Sequence, residues 1–169
     1  MRIFITFFTV VGVVFLADAS ADTPKKEDAP KLINALKTSA NAKVRAQAAA
    51  DLGKLGSIRA SYAADAIDPL INALAKDKDA DVRKAAAAAL GDIGSEAEKV
   101  VTALTEALKD SSATVKIAAA AALGQYGDSA KSALSQLRDL AKAKDDKKLS
   151  QAAAASVRQI TGTPKKKDN

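Results

Sequence analysis

The chain has 169 residues, of which 48% are hydrophobic and 27% charged, with a formal charge of +6 at neutral pH. Its 40 alanines stand against four phenylalanines, two tyrosines and no Trp, Cys or His. The missing cysteine excludes a disulfide framework, a thiolate metal site and a cysteine nucleophile, and the missing histidine removes the commonest metal ligand and the commonest general base. What remains is carboxylates, amines, hydroxyls and the best helix former. The composition points to a helical binding module, and no cofactor is expected.

Residues 1–21 read as a leader. Arg2 is followed by an apolar run of 15 residues, Ile3 to Ala17, and Ala19-Ser20-Ala21 supplies the small-residue cleavage pattern, so that Asp22 would begin the mature chain. A run this short falls below the roughly 18 residues of a spanning helix, although an uncleaved anchor is the alternative. The expectation is an exported protein, periplasmic or extracellular, with no stable membrane insertion after cleavage. Residues 22–28 and 163–169 join Pro to runs of charge without apolar periodicity and are expected as disordered tails.

Between the tails, four segments align: NAKVRAQAAADLGKLG from Asn41, DADVRKAAAAALGDIG from Asp79, SATVKIAAAAALGQYG from Ser112 and DKKLSQAAAASVRQIT from Asp146. Taking Val44, Val82, Val115 and Leu149 as anchors, apolar residues recur eight and eleven positions on: Leu52, Leu90, Leu123 and Val157, then Leu55, Ile93, Tyr126 and Ile160. At about 100° per residue these offsets share one helix face. Asn41, Asp79, Ser112 and Asp146 stand where an N-cap oxygen accepts a first-turn N–H. Gly56, Gly94 and Gly127 stand where a helix is expected to stop. An earlier helix precedes each: Leu32–Leu36 recurs identically at Leu70–Leu74, loosely at Leu104–Leu108, and in degenerate form from Leu137. Pro30 and Pro69 fall near its first turn.

The V-R-x-x-A-A-x-A-L-G-x-x-G pattern of the second helices resembles HEAT repeats, of the short type first noted in phycobilin lyases. The resemblance covers about residues 29–162 and implies an all-α, right-handed solenoid of four helix pairs, at approximately 29–56, 66–94, 98–127 and 130–162, that presents a surface to other proteins. The fourth unit departs from the pattern, with Ser150, Arg158 and Thr161 in place of the basic residue and the two glycines, as expected of a terminal cap. The link between the first two units is the longest and carries Ile58, Arg59 and Tyr62, a candidate binding loop.

Two sets of side chains are candidates for function. Arg45, Arg83 and Lys116 recur one residue past each anchor and can be read as a basic ladder for an anionic partner. The favoured reading is that they are structural residues that pair with acids of adjacent units, such as Asp79 or Asp81, and cap helix ends. The second helices turn offsets 2, 6 and 10 away from the core: Ala46, Ala50 and Lys54; Lys84, Ala88 and Asp92; Ile117, Ala121 and Gln125, with Gln47 and Asp51 on the flank. If these helices line the concave side, as the resemblance implies, this is the contact surface. An exposed Ile117 there is either an apolar binding spot or one unremarkable aliphatic.

No catalytic residue is singled out. Iron-binding relatives use His-Glu pairs, which this chain cannot form; bilin lyases work in the cytosol; and a charge of +5 on the body with almost no aromatics suits neither phosphate gripping nor base stacking. The expectation is a non-catalytic scaffold that binds a protein or peptide, with an accessory or chaperone-like subunit of an envelope enzyme as the alternative. A monomer is expected, with no nucleic-acid partner.

Overall fold

A computed structural model describes residues 23–162. The leader, its cleavage residues Ala19 and Ala21, and the tail 163–169 lie outside the described residues.

Among the described residues, eight α-helices form four antiparallel pairs: α1 (Ala29–Thr38) with α2 (Ala42–Ile58), α3 (Ile67–Lys76) with α4 (Ala80–Ile93), α5 (Ala97–Ala107) with α6 (Ala113–Gln125), and α7 (Leu134–Lys142) with α8 (Lys147–Thr161). The local signals act much as the pattern implies. The Asn41 side chain accepts the N–H of Lys43 at 2.9 Å, Asp79 accepts that of Asp81 at 2.9 Å, and Asp146 accepts that of Leu149 at 2.9 Å. Pro30 sits in the first turn of α1, where its missing N–H leaves no intrahelical bond unmade.

Each of the last three pairs packs closely and buries leucine: Leu70 on α3 and Leu90 on α4, Leu104 on α5 and Leu123 on α6, and Leu137 on α7. Pairs then stack so that α2, α4, α6 and α8 form one layer and α1, α3 and α5 the other. In the second-helix layer the backbones come very close. A Cβ built on Gly53 would lie 2.9 Å from the Ala89 Cα, and one on Gly91 2.9 Å from the Ala122 Cβ. Glycine on one helix and alanine on the next therefore interlock, and any larger side chain at either position must push the units apart. The first-helix layer has no such interlock and touches less extensively. The second helices therefore pack as the tighter layer, and their outward side is the one that the resemblance makes concave, the inner face.

Several details depart from the pattern. Gly56 does not stop α2, which runs on to Ile58. This glycine is buried inside the helix, where an added Cβ would press on Ile93. Gly94 does end α4 in the left-handed conformation at φ 63°, whereas α6 stops at Gln125, short of Gly127. Ser112 stands at the N-cap position but makes no capping bond, because its hydroxyl pairs with that of Thr114 at 2.9 Å. Lys26–Asp28 form a 3₁₀ turn, so order begins within the segment read as a tail. The long link forms two further 3₁₀ turns, Ala60–Tyr62 and Ala64–Ala66.

The largest departure is Val44. Its counterparts Val82, Val115 and Leu149 are at most 3% exposed, yet Val44 is 43% exposed. The anchor position is covered by the preceding unit, and the first unit has none.

Candidate interaction surface

The ladder residues lie on the seams between units. Arg45 donates Nε and Nη2 to the two carboxylate oxygens of Asp77 at 2.6 and 2.8 Å, and Nη1 to the carbonyls of Ser39 and Ala40 at 2.9 and 3.2 Å. Arg83 repeats this one unit on, with Nε and Nη2 to Asp110 at 2.7 and 2.9 Å and Nη1 to the carbonyls of Asp77 and Lys78 at 2.9 and 3.2 Å. The planar guanidinium thus closes the turn of its own unit and grips the next. The acids are Asp77 and Asp110, not Asp79 or Asp81. Each also accepts a backbone N–H, from Asp79 at 2.9 Å and from Ser112 at 2.7 Å. The Arg hydrogen bonds hold both carboxyls below the usual Asp range against the opposing effect of burial, with those N–H bonds adding to them. Arg45 and Arg83 are consequently committed within the fold. The third rung is unmade: Lys116 meets a unit that carries Lys144 where the others carry aspartate, and it has no hydrogen bond or ion pair among the described residues.

Two further seam ties have no pattern to announce them. Tyr126 donates its hydroxyl to the carbonyls of Leu90 at 2.8 Å and Ser95 at 3.1 Å, binding the end of α6 to the end of α4. Burial, with a smaller contribution from the charge of Glu96, raises its ionisation to about 12. Buried Ser156 donates to the carbonyl of Ala120 at 2.6 Å across the last seam.

On the inner face, offset 6 forms a continuous row, Ala50, Ala88, Ala121 and Ala155, of which Ala88 and Ala121 are exposed. Along one side of it run Lys54, Asp92 and Gln125, continued by Gln159 on α8, all exposed; along the other stand Ala46, exposed Lys84, and Ile117. Ile117 is half-buried rather than exposed. Lys54 pairs with Asp51 at 2.8 Å, while Lys84, Asp92 and Gln125 make no hydrogen bond or ion pair among the described residues. Asp92, Gln125 and Gln159 each lie beside a glycine of the preceding helix, Gly53, Gly91 and Gly124, so the absent Cβ leaves room for the polar chain to lie down. The structure thus brings Lys54, Lys84, Asp92, Ile117 and Gln125 onto one surface.

Two candidates lie elsewhere. Gln47 occupies the first edge of this surface and also lines a separate groove beside Val44. Tyr62 sits on the link between units, half-buried, with Lys26 Nζ and the Arg59 guanidinium carbon 5.7 and 5.6 Å from its ring centre. Its ring holds the N-terminal turn against the link. No helix of the described residues is long and apolar enough to cross a membrane.

Comparison with known proteins places this arrangement among repeat folds. A family model described as HEAT repeats matches residues 29–108 and again 67–158. No curated protein matches. Among solved structures, an engineered protein from a structural genomics consortium is 26% identical with a TM-score of 0.64, over 81% of this chain and 64% of its own. A designed armadillo repeat protein in complex with the peptide (KR)4 is 20% identical, TM-score 0.63, over 82% of this chain and 70% of its own. The complex of CpcE and CpcF of phycocyanin lyase from Nostoc sp. PCC7120 matches at 22% identity, TM-score 0.55, over 83% and 66%. The chain spans 64% and 63% of the lengths of the first two engineered proteins it matches.

Proposed function

Because the chain belongs to the HEAT-repeat family, we propose that it is a non-catalytic scaffold that binds a protein or peptide along the inner face of its solenoid. One observation carries this reading. A row of small residues crosses all four second helices and is flanked by Lys84, Asp92 and Gln125, whose polar groups the fold itself leaves unused. Such a row admits a second chain closely, and polar groups at unit spacing can fix its register. Two solved structures of similar fold accord with this use: one is in complex with a peptide, and the other is a complex of two proteins with one another.

The leader belongs to the same proposal: the chain is exported, cleaved after Ala21, and works in the periplasm or outside the cell, where it is available to envelope proteins. An envelope enzyme that uses it as an accessory subunit would be one such partner. The test is affinity capture from an envelope extract with the native protein and with A121R and K84E, both altered at exposed positions. The expected result is that the principal captured protein is lost with A121R and weakened with K84E. Retention with both variants refutes the inner-face reading. N-terminal sequencing of the chain from the envelope fraction tests export separately: Asp22 is expected, and Met1 refutes cleavage.

A further inference from the structure

Charge is spread unevenly over this molecule. In each unit, the nine residues from seven before the anchor to one after it hold the turn and the start of the second helix: 37–45, 75–83, 108–116 and 142–150. These segments contain 12 of the 26 basic residues and six of the 20 acidic ones. That is a net of +6, the whole formal charge of the chain, and the remainder balances at 14 of each sign. The three links between units, 59–66, 94–96 and 126–133, together carry −1. Stacking sets the four segments side by side. Gly53, Gly91 and Gly124 face one register position on the next helix, Ala89, Ala122 and Ser156, so α2, α4, α6 and α8 all begin on the same side of the solenoid. The turns thus form one ridge, roughly 25–30 Å long at ordinary helix spacing.

The fold uses the two signs on this ridge differently. Asp77 and Asp110 receive arginines, and Asp79 and Asp146 cap helices, which leaves Asp81 and Asp145. Lys109 and Lys142 pair with Glu106 and Asp139, one turn back. Lys37, Lys43, Lys76, Lys144, Lys147 and Lys148 are exposed, and their ammonium groups make no hydrogen bond or ion pair among the described residues. Negative charge is consumed by the turns, and positive charge is left facing outward. We propose that this ridge docks on a membrane surface of anionic lipid.

The residue types on the ridge select that occupant. Its segments contain no aromatic residue, and both of their arginines are engaged within the fold. Interfaces between folded proteins centre on aromatic and Arg anchors and are depleted in Lys. A lysine is a point charge on a flexible stem, with no fork to read a fixed shape. Lipid headgroups move laterally to meet such charges, and each lysine near an anionic surface adds to the attraction. Val44 is the one large apolar side chain exposed on the ridge, so the contact is electrostatic and does not insert. With the turns down, the helices stand away from the bilayer and the inner row remains open to the side. This inference goes beyond the inner-face reading and does not depend on it.

Co-sedimentation with vesicles tests this, with the N-terminus defined by intact mass and folding checked by circular dichroism. Vesicles of phosphatidylcholine alone are compared with vesicles that also contain phosphatidylglycerol. Binding is expected only to the anionic vesicles and is expected to weaken as salt rises. K37E/K76E/K144E reverses an exposed, unpaired lysine on each of three turns and is expected to weaken binding about tenfold or more. K31E/K131E/R138E makes the same change of net charge at exposed positions off the ridge and is expected to keep most of the binding. No binding to anionic vesicles, equal binding to neutral ones, or equal loss in the two triple variants would each overturn the proposal. Displacement from the vesicles by polyglutamate at matched charge would also overturn it, and would assign the ridge to acidic proteins. Inner-face capture is read independently, since neither Ala121 nor Lys84 belongs to these segments.

Discussion

Arg45 and Asp77 join the first two helix pairs through a two-point contact, Nε and Nη2 on the two oxygens of one carboxylate, while the same carboxylate holds the first turn of the next second helix through the N–H of Asp79. One aspartate thereby orders its own turn and receives its neighbour's arginine. Geometry of this kind is sensitive to shape as well as charge, because a lysine offers no fork. Arg45→Lys is therefore expected to lower the melting temperature nearly as far as Arg45→Ala, whereas Arg45 and Asp77 substituted together are expected to cost less than the sum of the singles. A double-mutant cycle by thermal melting checks both, and an additive result would deny the contact a structural role.

The same pairs set the response to acid. Asp77 and Asp110 bind protons less readily in the folded chain than in the unfolded one, so their stabilisation is fully present above the unfolded Asp value of about 3.9 and disappears as pH falls through the lower folded values. The melting temperature is expected to be insensitive to these groups near neutrality and to fall below about pH 4. D77N/D110N should start lower and lose less across that window. A parallel decline in both proteins would assign the acid sensitivity elsewhere.

The interlock between glycine and alanine should respond to volume. Gly91→Leu places a branched chain where Ala122 and the Gln125 amide already stand within 3.0 Å of a Cβ, and is expected to cost about 3 kcal/mol through overpacking. Gly127→Ala has no neighbour within 4 Å and is strained only by its φ of 51°, so about 1 kcal/mol is expected. Chemical denaturation of both variants decides the order, and the reverse order would remove glycine from the stacking argument.

Tyr126 gives a basic-side counterpart. Tyr126→Phe leaves the Leu90 and Ser95 carbonyls without this donor and is expected to cost about 1–2 kcal/mol. The raised folded pKa means that its contribution is present below the unfolded value of about 10 and is lost as pH rises through about 12. The stability gap between native protein and variant should therefore narrow over that range. A constant gap would show that the hydroxyl contributes nothing that depends on its proton.

The interrupted third rung can be completed. K116R/K144D restores the Arg–Asp arrangement of the two earlier seams and is expected to raise stability by on the order of 0.5–1 kcal/mol, with K144D alone giving less. Thermal melts of the three proteins test this, and no gain from the double variant would mean that the last turn does not repeat the geometry of the others.

Helix pairing was legible because caps, apolar period and proline placement all act within one turn of the residue that carries them. The ladder was legible only by half. Its arginines recur inside the aligned segments, but Asp77 and Asp110 stand five residues before the anchors, just outside those segments, and meet Arg through the stack rather than along the chain. Gly53, Gly91 and Gly124 likewise acquire a role from a neighbouring helix that no single repeat contains. Val44 shows the converse limit: an alignment treats four anchors as equivalent, whereas burial depends on which unit has a predecessor. On the inner face, periodicity named Lys84, Asp92 and Gln125, but could not separate Gln47, which belongs to an edge, or Tyr62, which is held by two cations.

The interlocking seam also separates how long the molecule is from how it sticks together. The second unit meets both neighbours through the same glycine, the same alanine and the same Arg–Asp contact, while Gln47 and Asp51 at one terminus and Arg158 at the other serve as stop marks. Reach is thus written as a count of interchangeable modules between two fixed bookends, and a lineage could lengthen or shorten its grip by whole turns without inventing a new joint.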